Sequence, residues 1–437
     1  MKKKYYVLFG TFAAVLTGSN ALQVYAQTTN YGSDDFPELI TLSPANTRTF
    51  ISPSSVQRLD IVSFVSAVID NHPSINAASA ALEAEKARAR GMGRKLYNPE
   101  LELDFETADT QTATIGLSQT LDRHGKRRAR ALAGQNEVLA AQSSLAVIRK
   151  TLEAELLVAL SSYQMTMDLV AMAAQKGEFS RSFLALTQRR EAAGDLSKSD
   201  VLTAQLALSS SNADLAQAQA GLSRSIQALT TLSGQSQASW PTLDGTPNGS
   251  YAKNWQPNPD ELPEVLLALA QSRASHSKIE VAQKMRKTDP TIGGRIGGEG
   301  SNVLFGVSLA IPLQINNNYS DSIDVAKAES LQADAGLQRV RRQTIARLNG
   351  TRRRFEASER AWSDWQNTGA GQLGEQRTLL KRLWEAGELG AMQYLIQYNQ
   401  TFEAQSAETE LKAAYWRSWF EYLDASHSIP KWLEAIK

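Results

Sequence analysis

Three carboxylates stand at alternate positions of one short segment: Glu102, Asp104 and Glu106, interleaved with Leu101, Leu103 and Phe105. On a β-strand alternate residues share a face, so this spacing puts the acids on one side and the apolar side chains on the other. Repeated around a lumen by several copies of the chain, such a row becomes a carboxylate ring that favours cations. The other candidates for chemistry point away from catalysis. His72, His124, His276 and His427 are scattered, with no i, i+4 pair and no cysteine anywhere to join them. They read as surface or packing residues, and neither a metal site nor a cofactor is expected. The run Gly293-Gly294-Arg295-Ile296-Gly297-Gly298 lacks the Gly-Lys-[Ser/Thr] ending and following helix of a phosphate loop, and close strand packing explains it better. Arg339, Arg341, Arg342, Arg347 and Arg352–Arg354 could suggest nucleic acid. On an exported helical rod they instead pair with neighbouring acids or coat a tunnel, and the net charge of +1 supplies no global field. No enzyme constellation emerges.

The elements that hold these residues occur twice. In the first half Ala113, Ile115 and Leu117 alternate with Thr114, Gly116 and Ser118. In the second, Val303, Phe305, Val307, Leu309 and Ile311 alternate with Leu304, Gly306, Ser308 and Ala310, after a Gly-rich partner strand carrying Ile292 and Ile296 on one face. Period-2 alternation of this length fits outer-membrane strands; half-buried hairpins of a soluble domain would show it too. Four strands cannot close a membrane barrel, since the smallest have about eight. An open edge in lipid would leave backbone groups unpaired. Membrane-spanning strands here would therefore have to be pooled by several chains.

Each hairpin feeds a long helix. The chain is free of proline from Glu100 to Trp240 and from Leu313 to Ile429, and proline breaks helix interiors. Leu145, Ile148, Leu152, Leu156 and Leu160, at spacings of three and four, mark a coiled-coil seam. Gly194 and Gly387 are placed to reverse the helices as C-cap glycines. The basic run Arg123-His124-Gly125-Lys126-Arg127-Arg128-Ala129-Arg130, where the first long helix begins, suits an anionic headgroup layer or a solvated helix start.

The expected organisation is a signal peptide over 1–26, from Lys2, Lys3, Lys4, an apolar run and Val24-Tyr25-Ala26, and an extended segment over 27–58. A first repeat over 59–234 holds a helix, a hairpin 101–121, a long helix 126–193 and a return helix 197–233. After a Pro-rich linker over 235–263, a second repeat spans 264–428, with a helix, a hairpin 291–313, a long helix 318–386 and a return helix 390–425. A tail covers 429–437. The repeats keep register: Asn98-Pro99 answers Asp289-Pro290, and Ala193-Gly194-Asp195-Leu196 answers Ala386-Gly387-Glu388-Leu389, as an internal duplication would.

From about Leu59 to Ser428 the chain resembles the TolC-type outer-membrane efflux channels. The likeness rests on Asn98-Pro99-Glu100-Leu101, Gly116-Leu117-Ser118-Gln119, Gly194-x-x-x-x-Ser199-Asp200-Val201-Leu202 and Ser308-Leu309-Ala310-Ile311-Pro312-Leu313. The element Gly125-Lys126-Arg127-Arg128-Ala129-Arg130 looks most like the branch serving heavy-metal (cobalt-zinc-cadmium type) resistance-nodulation-division pumps. The resemblance implies a mainly α chain with a small β part. Four strands per chain would contribute to a trimeric twelve-strand outer-membrane barrel in a Gram-negative cell, continued by a long helical periplasmic tunnel. It also implies contact with outer-membrane lipid, a periplasmic adaptor and an inner-membrane pump, reached directly or through the adaptor, and no nucleic acid. The adaptor would meet the tip formed by Gly194, Asp195, Leu196, Ser199 and Asp200 with Gly387, Glu388, Leu389 and Met392. Drug-efflux relatives close this tip with a Tyr–Arg–Asp set and further aspartates. Here Asp200 matches the acid, whereas Trp384 replaces the tyrosine, Leu389 the arginine, and Gln393 and Ile396 the aspartates. Asp200, Trp384, Gln393 and Ile396 are then the candidates for an entrance constriction. The competing readings are an exported structural or adhesive coiled-coil protein, and the channel of a drug-efflux or type I secretion system.

Overall fold

The computed structural model describes residues 60–436 apart from 108, 110, 238–239 and 248–256. The signal peptide and the extended segment expected over 27–58 lie outside the described residues.

Two helices open the first repeat, α1 (Ile61–Asn71) and α2 (Pro73–Met92). They are separate because His72 is extended and Pro73 starts a new helix, with His72 Nδ1 accepting from the Ser74 N–H at 3.1 Å. Strands β1 (Glu100–Thr107) and β2 (Gln111–Thr120) follow, then α3 (Lys126–Ala192) and α4 (Lys198–Ser233). With 67 residues, α3 is roughly 100 Å long. Its start is held by Asp122, whose carboxylate accepts from the backbone N–H groups of Lys126 (2.9 Å) and Arg127 (2.8 Å).

The second repeat holds α5 (Pro263–Met285), β3 (Thr291–Glu299) and β4 (Asn302–Ala310). It continues with α6 (Ser320–Thr368), α7 (Ala370–Glu385) and α8 (Ala391–Ala425), and α9 (Ile429–Ala435) closes the chain. Two expectations are corrected here. The helix expected over 318–386 is broken between Thr368 and Ala370. Gly369, Gly371 and Gly374 weaken that stretch. The ladder also tightens there, to a Gln372 N–H bond on the Gly369 carbonyl at 3.1 Å. The tail expected over 429–437 is instead a helix that buries Ile429, Trp432 and Leu433.

One antiparallel sheet joins the repeats in the order β1-β2-β3-β4. Its helices pack around α3, which meets α2, α4, α5 and α8. The main core lies midway along α3, where Leu152, Leu156, Leu157 and Leu160 meet Phe64 and Ile69 of α1, Phe355 of α6 and Trp419, Phe420 and Leu423 of α8. Leu152, Leu156 and Leu160 of the expected seam lie in this core, whereas Leu145 and Ile148 are half-buried outside it. The linker is pinned to the same core: Trp240 packs edge-on against Tyr163 at 4.9 Å, and Leu243 and Gln164 exchange two hydrogen bonds.

Candidate functional site

The sheet separates two chemistries, apart from Leu304 on the polar side and Gln111 and Gln119 at the strand ends on the apolar one. Register pairs Glu102 with Gly116, Gly116 with Arg295, and Arg295 with Gly306. Directly opposed residues share a face, so one face carries Glu102, Asp104, Glu106, Thr114, Ser118, Arg295 and Ser308. Ser118 donates to Glu102 at 3.0 Å and Thr114 to Asp104 at 3.3 Å. The opposite face is apolar and uncovered: Leu101, Leu103, Phe105, Ile115, Leu117, Ile296, Val303, Phe305, Val307 and Leu309 are all exposed, Val307 at 88%. A water-soluble sheet would cover such a surface. Among the described residues, no strand pairs with the outer sides of β1 and β4.

Glycine makes the polar face shallow. A Cβ on Gly293 would crowd Ser118 Cβ at 3.2 Å, and one on Gly306 would lie 2.6 Å from Arg295 Nε. The glycine run is therefore the strand-packing device that its sequence suggests.

Where strands meet helices, four residues of the two repeats converge. The Asp289 carboxylate accepts from Lys126 Nζ at 2.9 Å and Tyr97 Oη at 3.0 Å, and His124 Nδ1 lies 3.3 Å away. The Lys126 and Asp289 side chains are 5% and 2% exposed. Burial would push the Asp289 carboxyl up, but the Lys126 ammonium, with His124 and Tyr97, holds it below the usual carboxylate range. Sequence reading gave these four no common role. The available signal was that Tyr97 and Asp289 each stand by the proline that starts a strand.

At the far end the helices reverse at Gly194 (φ +87°) and Gly387 (φ +76°). Both turns are closed alike: Gly194 N–H to Glu191 carbonyl and Asp195 N–H to Arg190 carbonyl, and Gly387 N–H to Trp384 carbonyl and Glu388 N–H to Leu383 carbonyl. Asp200 completes a capping box with Ser197, whose hydroxyl and N–H lower its carboxyl pKa.

Residues 64–235 match the family described as outer membrane efflux protein. The cobalt-zinc-cadmium resistance protein CzcC of Cupriavidus metallidurans is 26% identical over 268 residues. That match covers 58% of this chain and 64% of CzcC, so the chain spans less than two thirds of this relative. Among solved structures, CusC superposes with a TM-score of 0.70 at 15% identity, over 83% of this chain and 90% of that one. VceC of Vibrio cholerae gives 0.69 at 17% identity, over 83% and 94%. The fold is that of the TolC-type outer-membrane efflux channels.

Within this TolC-type fold the tip needs two corrections. Trp384 is 3% exposed, stacked on Tyr394 at 5.3 Å with the Arg190 guanidinium 4.2 Å above its ring. It is a post in a small core with Phe183, Leu380 and Leu395, and its side chain is not exposed at the turn. Leu389, at 8%, belongs to the same core and is not an exposed anchor; the turn folds it back onto α7 and α8. Leu196 is half-buried against that cluster. Asp195, Ser199, Glu388, Met392, Gln393 and Ile396 remain exposed. Leu202 and Leu206 of α4 are exposed as well. Sequence reading passed over Leu206, although its i, i+4 spacing from Leu202 was the signal.

Proposed function

We propose that the chain is one of three identical subunits of an outer-membrane efflux conduit. It passes heavy-metal cations that an inner-membrane resistance-nodulation-division pump and a periplasmic adaptor deliver. The carrying observation is the sheet, with one face apolar and uncovered, the other lined by acids, and both edges open. In lipid those edges must be paired, and four strands fall short of the smallest barrel. Three copies supply twelve strands, turn the apolar faces to lipid and bring Glu102, Asp104 and Glu106 into a lumen, where carboxylate rings favour cations. The helices continue that lumen into the periplasm. At the turns, Gly194, Asp195, Ser199, Asp200, Gly387, Glu388 and Met392, with Leu202 and Leu206, offer the adaptor a small surface of apolar residues rimmed by acids. The likeness to CzcC supports the choice of metal cations over drugs or secreted proteins.

The test is a strain deleted for this chain, challenged with cobalt, zinc and cadmium and with lipophilic drugs. Restoring the chain should raise metal tolerance and lower cell-associated metal. Restoration of drug tolerance alone would refute the metal reading and keep the conduit; restoration of neither would refute both.

A further inference from the structure

Arg295 is the only cation among the described residues of the four strands, and among them it makes no hydrogen bond or ion pair. Its direction is informative. In the register Glu102–Gly116–Arg295–Gly306 it has glycine on both sides. It could lean across Gly116 towards Glu102 of its own chain or across Gly306 towards the open β4 edge. Its atom nearest Gly116 is Cβ, at 3.5 Å from where a Cβ would stand. Over Gly306 lie its Cγ, Cδ and Nε, at 2.8, 3.2 and 2.6 Å from the corresponding point. Glu102, meanwhile, is already engaged by Ser118. The side chain is laid across β4, the edge strand.

Resting on the trimer reading above, we infer that Arg295 reaches over β4 and pairs with the acid row on β1 of the next copy, so that each seam of the barrel is closed in the lumen by an arginine–carboxylate pair. Copies related by cyclic symmetry must join unlike edges, β4 to β1. The like pairing β1 to β1 would set two rows of carboxylates side by side, and like charges opposed across strands destabilise. The β4–β1 seam instead brings an unpaired guanidinium to a row of carboxylates that hydroxyls engage in part and no cation pairs. From Arg295 to the neighbouring β1 is two strand spacings, about 10 Å between Cα atoms, a gap that an extended arginine and a carboxylate side chain fill together. Gly306 is required because any side chain there would occupy the path. Each seam also offsets one of the acid charges that a chain brings to the lumen, so Arg295 sets how strongly the pore prefers cations.

The chain has no cysteine, which makes cross-linking direct. Arg295→Cys is combined in turn with Glu102→Cys, Asp104→Cys and Glu106→Cys in the full chain, purified in detergent and treated with a bis-maleimide matched to that gap. At least one pair should run as covalent dimers and trimers on a denaturing gel. Preparations that are trimeric by mass yet yield only monomers or internally looped monomers with all three pairs overturn the seam pairing. A wild-type chain that is monomeric by mass overturns the trimer itself. If the cysteine variants do not assemble, charge reversal decides. Arg295→Glu should lower the temperature at which the trimer dissociates, and an added Glu102→Arg, Asp104→Arg or Glu106→Arg should restore it. No lowering, or no restoration by any of the three, refutes the pairing.

Discussion

Val307→Arg puts a charge where the account requires hydrocarbon. Val307 lies near the middle of β4, a nine-residue strand, on the apolar face at 88% exposure. An arginine near the midplane of a membrane barrel costs about 2–4 kcal/mol. Three copies raise this to roughly 6–12 kcal/mol per trimer on the same scale. At about 1.4 kcal/mol per tenfold, that is at least four orders of magnitude in the insertion equilibrium. The adjacent Ser308 lies on the polar face, so Ser308→Arg is the matched control, one residue away and equal in charge and bulk. The assay is the fraction of each variant that folds into liposomes as trimers resistant to dissociation in SDS. Val307→Arg should lose nearly all of that fraction and Ser308→Arg should keep most of it. Equal yields from the two, or the reverse order, would refute the assignment of faces and with it the membrane reading.

Three further outcomes are expected. Glu102→Gln with Glu106→Gln should reduce cation selectivity in planar bilayers, read as a smaller reversal potential in a salt gradient; an unchanged potential removes these acids from the lumen. Asp289→Asn leaves Lys126 buried without its partner and should destabilise the junction by about 3–5 kcal/mol, measured by thermal unfolding. Because the folded Asp289 pKa is depressed, its contribution is present above the ordinary value of 3.8 and lost as pH falls through the folded value. The wild-type advantage over Asp289→Asn should therefore shrink below about pH 4, and a constant advantage would exclude the ion pair as its source. Leu202→Asp with Met392→Asp at the tip should abolish metal tolerance while leaving trimer yield intact; tolerance retained would show that the adaptor docks elsewhere.

The strands and long helices were legible because each rests on local rules. Period-2 alternation marks the hairpins, long proline-free stretches mark the helices, and the two glycines at helix reversals have the positive φ that their positions require. What escaped depends on residues far apart in the chain. Asp289 meets Tyr97, His124 and Lys126 only because β3 pairs with β2. Trp384 and Leu389 looked available at an exposed turn, and their burial follows from the packing of α7 and α8 around Phe183, which no local pattern records. The break at Gly369 was hidden because isolated glycines are tolerated within long helices. Arg295 was visible as a charge within the glycine run, but its lean over Gly306 is a property of coordinates and not of spacing.

The central claim is that several copies of this chain enclose one cation-conducting pore, and the most direct test measures stoichiometry and conductance on the same preparation. Full chain purified in detergent should have the protein mass of three copies and, added to a planar bilayer, produce stepwise currents with a cation-directed reversal potential. A protein mass of one copy and a silent bilayer would contradict the account.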